Sequence, residues 1–262
     1  MALFPVAPLE TPGTHTRSAI SDEKLKQLYT LMVSLRVHKL GAHKTHGQRQ
    51  ALLYSEACEA AAILDLQSRD TVSILPGQGI DQLSRRAVSS SRRGPQSRVV
   101  PWRVIEGGDS DRLAIAAGVA FGNRLEDTTR VVIAFAVFGD AAHTSDSLRF
   151  AREQNLPIIY FEPTRANIRK SMLTLHQLPT IPVDDSDAVA VYRVVYESID
   201  KARRGAGPTL IQCMRHESLS TRGHHKDERA DPLVYMEQYL RKRNLWSDDL
   251  RSLGQPQSSI YR

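Results

Sequence analysis

Residues 130–170, RVVIAFAVFGDAAHTSDSLRFAREQNLPIIYFEPTRANIRK, read as strand, turn, helix, strand. Residues 131–138 are an unbroken apolar run, the pattern of a strand covered on both faces. Gly139-Asp140 ends the run where the chain must turn tightly. Residues 145–153 supply a short crossover helix, with Leu148, Ala151 and Arg152 at helical spacing. Residues 158–161 form a second buried strand, closed by Glu162-Pro163. Such a βαβ unit belongs to a mostly parallel sheet, where ligands collect at the carboxyl ends of the strands.

The same alternation extends outward in both directions. Upstream, Ser21-Asp22-Glu23 caps a helix that carries Leu25, Leu28, Met32 and Leu35 on one face, to about His38. An Ala-rich helix covers residues 55–66, and a short strand at 71–75 breaks at Pro76-Gly77-Gln78-Gly79. Residues 84–98, SRRAVSSSRRGPQSR, read as a solvated basic loop. Residues 113–121, LAIAAGVAF, give a small-residue helix suited to close packing on a sheet. Downstream, residues 165–178 read as a loop. Residues 188–204 follow as an amphipathic helix with Val191, Val194, Val195, Ile199 and Ala202 inward, stopped by Gly205 and Pro208. Residues 209–214 form the next strand. Asp231-Pro232 opens a last helix with Val234, Tyr235, Tyr239 and Leu240 as its expected buried side. The expectation is a three-layer α/β/α sandwich over residues 21–253, flanked by an arm at 1–20 and a loose tail at 254–262.

Composition bounds the function classes. The chain has 262 residues, 41% hydrophobic and 24% charged, ordinary values for a globular protein with a substantial core. No run of eighteen apolar residues occurs, so no membrane span is expected, and the first residues lack a secretory pattern. Cys58 and Cys213 each fall in an apolar or helical pattern, which favours two buried free thiols in a reducing cytoplasm over a disulfide. Net charge is +6, mostly dispersed. An anion- or nucleic-acid-binding alternative would use Arg85, Arg86, Arg92 and Arg93. With no aromatic residue interleaved for base stacking, no nucleic-acid site is expected there.

Several segments together resemble the alpha subunit of the thiamine-diphosphate-dependent 2-oxo acid dehydrogenases, the E1 component of pyruvate, branched-chain and acetoin dehydrogenase complexes. LYTLMVSLRVHK resembles the first family helix, and Tyr54-Ser55-Glu56-Ala57 resembles G-Q-E-A. VVIAFAVFGDAA followed by LPIIYFEPTR resembles the cofactor motif, G-D-G and then L-P-x-x-x-x-x-E-N-N. VDDSDAVAVY, ARRGAGPTLIQ and ADPLVYMEQYL resemble three further family segments in family order.

The resemblance implies the thiamine-diphosphate-binding fold, and a cofactor gripped through magnesium. Gly139, Asp140 and Gly107 stand at cofactor positions. Asp140 with Thr164 or Asn167 stands where the metal ligands belong. Asn167 is the amide alternative when the count runs forward from Gly139. The implied partners are a second alpha chain or a beta subunit in a hetero-oligomer.

The departures fall on the cofactor grip. Ala141 replaces the last Gly of G-D-G, and Pro163 and Thr164 replace the two asparagines. Leu75-Pro76-Gly77-Gln78-Gly79 stands where the family has Y-R-x-H-G, with its diphosphate-binding Tyr and Arg. Residues 106–112, with three acids, replace the G-x-G-I-V-G-A-Q loop. The second His of H-G-H-S is missing from residues 217–220, and the His224-His225 pair a few residues on reads as a surface pair. Losing an Arg, a Tyr and an Asn contact together weakens an unassisted site by about 10³-fold or more. The expected function is an E1-alpha-like subunit with a degenerate cofactor site and no assigned catalytic side chain. The alternative is an active decarboxylase of a 2-oxo acid that works with a beta subunit.

Overall fold

The apolar run after Arg130 becomes the centre of a sheet whose six described strands are all parallel, in the order β2-β1-β3-β4-β6-β5. The computed structural model describes residues 20–42, 53–91, 102–106, 109–136, 141–165, 178–215 and 231–254. The strands are β1 (Thr71–Ser73), β2 (Arg103–Ile105), β3 (Val132–Phe135), β4 (Ile158–Arg165), β5 (Thr180–Asp184) and β6 (Thr209–Arg215). The helices are α1 (Asp22–Ala42), α2 (Glu56–Leu64), α3 (Gly79–Ser91), α4 (Asp109–Leu125), α5 (Ala141–Glu153), α6 (Ala188–Arg203), α7 (Pro232–Lys242) and α8 (Asp248–Leu253).

Strands covered on both faces must be apolar on both, and β3 is fully buried along its length. Val132 and Ala134 face a core built with Leu113, Ala116, Ala117 and Ala120 of α4 and Leu148 and Ala151 of α5. Ile133 and Phe135 face the opposite core, with Leu25 to Leu35 of α1, the alanines of α2, and Val191, Val195 and Ile199 of α6. The three-layer α/β/α sandwich is therefore present.

Several boundaries differ from the sequence expectation. The basic segment starting at residue 84 is helical as far as Ser91, as the continuation of α3, which packs on α1. Two edge strands, β2 and β5, lie where no strand was read. β4 is not closed by Glu162-Pro163 and continues to Arg165, pairing Pro163 with Cys213 and Thr164 with Met214. In α7 the buried residues are Leu233, Met236 and Leu240, while Tyr235 is 40% exposed. No described helix is long and apolar enough to cross a membrane.

Candidate functional site at the sheet's switch point

Strand order fixes where a ligand can enter. The chain leaves β1 through α3 toward β2 and leaves β3 through α5 toward β4, in opposite directions across the sheet. A crevice opens between such neighbours, outside their carboxyl ends. Arg112 of α4 and Tyr54 before α2 bring side chains to the ends of β1 and β3 and to β4 there.

The loop after β1 is stitched to its surroundings. Gln78 accepts from the Leu75 amide through Oε1 (2.7 Å), and Asp81 accepts from the Gly77 amide (2.9 Å). Glu59 of α2 accepts from the Ile80 amide (3.0 Å) and takes an ion pair from Lys39 of α1 (2.5 Å). Glu59 is fully buried, and burial raises its pKa although the Lys39 ammonium pulls the other way. Lys39 also donates to the Tyr54 carbonyl (2.6 Å). Gln78 Nε2 is buried with no partner among the described residues. A single amide donor is what this loop offers, in place of an arginine fork.

Two polar side chains from opposite layers meet the strand ends. Arg112, in the first turn of α4, is fully buried and donates through Nη1 to Ser73 Oγ (3.0 Å) and to the Phe135 carbonyl (2.5 Å). It therefore joins the last residue of β1 to the last residue of β3. Tyr54, which precedes α2, comes from the other face. Its hydroxyl lies 2.5 Å from the Ala136 carbonyl and 2.6 Å from the Phe161 carbonyl, and accepts from the Ala136 amide at 3.1 Å. The Tyr54 ring packs edge-on against Phe135 (4.9 Å), and burial drives its pKa far up.

On β4, Glu162 accepts from Gln212 Nε2 (2.9 Å), and burial raises its pKa more than that amide offsets. Thr164 stands two residues on, half-buried, within the ladder to β6. At the ends of β5 and β6, Arg215 pairs with Asp185 (3.2 Å). Cys58 and Cys213 are both buried and free, and burial pushes the Cys213 thiol well above its ordinary pKa.

Of the cofactor- and metal-binding candidates named from the sequence, Thr164 alone is described. Gly107, Gly139, Asp140 and Asn167 lie outside the described residues, as do Arg92, Arg93, His224 and His225. Arg85 is paired with Asp81 (2.6 Å) and Glu106 (3.3 Å), so one of the four basic-loop arginines already has its charge matched. The roles of Arg112 and Tyr54 escaped sequence reasoning. The signal available for Tyr54 was a bulky ring at the Gly of G-Q-E-A.

The described residues do not make a cradle for magnesium diphosphate. No group of three His, Cys, Asp or Glu suited to a metal occurs among them. Thr164 offers one neutral hydroxyl, and the Arg112 guanidinium is a fixed cation at the strand ends.

The strand order and layers define a doubly wound α/β/α sandwich, the fold of the thiamine-diphosphate-dependent enzymes. Two transketolase structures from Pichia stipitis share the architecture, with TM-scores of 0.52 and 0.53 at 14% identity, covering 74% of this chain and 36% of each of theirs. Residues 97–252 match the family described as dehydrogenase E1 component, and the chain belongs to that family. It is 31% identical over 162 residues to the pyruvate dehydrogenase E1 component subunit alpha of Staphylococcus aureus, covering 51% of this chain and 44% of that protein. It is 27% identical over 165 residues to the 2-oxoisovalerate dehydrogenase subunit alpha of Bacillus subtilis, covering 52% and 49%. To the alpha subunit of the acetoin:2,6-dichlorophenolindophenol oxidoreductase of the same organism it is 30% identical over 145 residues, covering 45% and 42%. The chain spans about half the length of the curated relatives it matches.

Proposed function

We propose that this chain is an E1-alpha-like subunit whose own grip on thiamine diphosphate and magnesium is lost, and which serves as a structural or regulatory partner. The observation that carries the reading is the donor set at the carboxyl ends of β1 and β4. There the chain has Leu75-Pro76-Gly77-Gln78-Gly79, with no cationic side chain, and Glu162-Pro163-Thr164 held in the ladder to β6. A diphosphate needs charge-assisted donors or a divalent ion, and neither is supplied by these two segments.

The partner is a second copy or a beta-type E1 subunit. Support comes from α4 and α5, where Ile115, Leu125 and Phe150 are 48%, 70% and 37% exposed beside Gly118 and Gly122. Apolar area gathered on one face of a chain marks an interaction surface.

Calorimetry with thiamine diphosphate and magnesium tests the reading, on the chain alone and after co-expression with a beta-type subunit. The expected result is no binding at micromolar coenzyme and a stable complex with the partner. Micromolar binding with turnover of a 2-oxo acid would restore the working decarboxylase, in which Asp140 with Thr164 or Asn167 holds the metal.

A further inference from the structure

We infer that Glu162 and Gln212 form a binding site, at the carboxyl end of β4, for the cationic end of a small ligand, an ammonium or amidinium group. Such a site is independent of the proposed function, because it uses neither the diphosphate nor the metal of a coenzyme.

A carboxylate withdrawn from water is kept only where a cation or several donors stand beside it. Five carboxyl side chains are buried among the described residues: Glu59, Asp70, Asp81, Glu162 and Asp185. Four of them have a cation in contact, Lys39 on Glu59, Arg203 on Asp70, Arg85 on Asp81 and Arg215 on Asp185. Glu162 has none among the described residues. Its bond comes from the neutral Gln212 amide to Oε2, and Oε1 is left without a described partner.

No neighbouring element supplies the charge. Strands alternate their faces, so Glu162 shares the face of Tyr160, which packs with α4 and α5. On β6 the register partner is Gln212 itself, and Arg215 stands on the other face, paired with Asp185. On β3, Phe135 pairs with Phe161, so Ala136 is the residue beside Glu162 and brings only a methyl group. From α4, Arg112 donates to Ser73 and Phe135, and on α5 Asp146 and Arg149 pair with each other. One pleat toward the middle of the sheet, the Tyr160 hydroxyl is also buried without a described hydrogen-bond partner.

Two unsatisfied polar groups thus follow each other along one face of β4, toward the strand ends where ligands enter such a sheet. An ammonium or amidinium supplies what is missing there. It brings N–H donors for Glu162 Oε1 and the Gln212 carbonyl oxygen, and a positive charge beside an acid that has none. A divalent metal fits poorly, since it wants several hard oxygen ligands and a single carboxylate stands here.

The probe is benzamidine, with benzamide as its uncharged match, titrated into the full chain at mildly alkaline pH and followed by NMR at the Gln212 side-chain amide. Benzamidine is expected to shift that signal saturably, and to bind wild type about tenfold more tightly than Glu162→Gln, the size of one charge-assisted contact. Benzamide is expected to leave the signal in place. No shift in wild type, or equal affinity in Glu162→Gln, overturns the inference.

Urea midpoints of the same two chains test the missing counter-charge itself. Burial lifts the Glu162 carboxyl, and the Gln212 amide offsets part of the rise. A carboxyl raised in the folded state contributes stability that is complete below its unfolded value and is lost as pH rises through the folded value. Glu162→Gln does not titrate there, so its midpoint should lie above wild type at mildly alkaline pH and match it below 4.5. A midpoint at or below that of wild type at the alkaline pH would show that the acid already has its counter-charge, and would equally overturn the inference.

Discussion

Asp70 is 1% exposed, and its carboxylate is consumed in full view of its partners. It takes a two-pronged contact from Arg203 (3.2 and 2.7 Å) and bonds from the Val131 and Gln67 amides (3.0 and 2.7 Å). It thus fastens the C-terminal end of α6 to the amino ends of β1 and β3. Arg203→Met keeps much of the stem but strands a buried carboxylate, and a broken buried pair costs about 3–5 kcal/mol. The drop is to be read from the urea midpoint, and an unchanged midpoint would mean that Asp70 is satisfied by its two amides alone.

Arg36 makes the same kind of argument sensitive to pH. It donates to Asp231 (2.8 and 2.9 Å) and to Glu56 (3.0 Å), tying α7 and α2 to α1. Burial pushes both carboxyls up. For Glu56, Lys39 and Arg36 outweigh burial and bring it below its ordinary 4.5, while for Asp231 the Arg36 bonds bring it below 3.8. A carboxyl lowered in the folded state contributes stability above its ordinary value and loses it as pH falls through the folded value. Arg36→Met is therefore expected to cost about 1–2 kcal/mol at pH 7, at the modest end because Asp231 is part-exposed. At a pH below both folded values, where the carboxyls are protonated, the cost should vanish. Equal losses at both pH values would show that Arg36 acts through packing.

At the scale of elements, α3 is held by how closely its first residue approaches α1. A Cβ on Gly79 would meet the Leu35 carbonyl oxygen at 2.8 Å and Glu59 Oε2 at 3.0 Å. Backbone cannot give way as a side-chain tip can, so Gly79→Ala is expected to cost about 1–3 kcal/mol. Gly118 in α4 is the control, because its Cβ would meet nothing within 4 Å. In the single, unassembled chain Gly118→Ala should stabilise by about 0.5–1 kcal/mol, the ordinary gain for a helix interior. Thermal denaturation of both variants separates close approach from backbone entropy, and two shifts of the same sign would refute the contrast.

The same elements show what the sequence could tell. β3, the first half of β4, α6 and β6 were legible because burial on two faces, or a strong helical stripe, leaves a pattern in the residues themselves. β2 and β5 were not. They are the edges of the sheet, short and partly exposed, and β5 carries Pro182, whose missing N–H is easily accommodated on an unpaired strand edge. The first turns of α3 and α4 lack apolar spacing because tertiary contacts hold them. At the crevice, motif comparison pointed to the altered loop after β1 and to Pro163-Thr164. It could not reveal that Arg112 crosses to β3 or that Tyr54 crosses to β4, since those contacts join residues distant in sequence.

For the whole molecule, the question is what covers α4. Its inner face fills the core, yet its outer face presents Ile115 and Leu125 around two glycines, beside Phe150 of α5, which stacks on Phe121 at 5.4 Å. Glycines with open space above them let another backbone approach closely, and the flanking apolar side chains would then be withdrawn from water. The double variant Ile115→Lys/Leu125→Lys changes only exposed side chains, so it should alter the stability of the chain by less than about 0.5 kcal/mol. Two charges placed in an apolar contact would be desolvated without partners, which is costly enough to break the assembly. Sedimentation velocity on wild type and variant, alone and mixed with a beta-type E1 subunit, reads this directly. Wild type is expected to run as an assembly and the variant as a folded single chain with a native circular dichroism spectrum. If the variant still assembles like wild type, the partner sits elsewhere and this face of α4 is simply exposed.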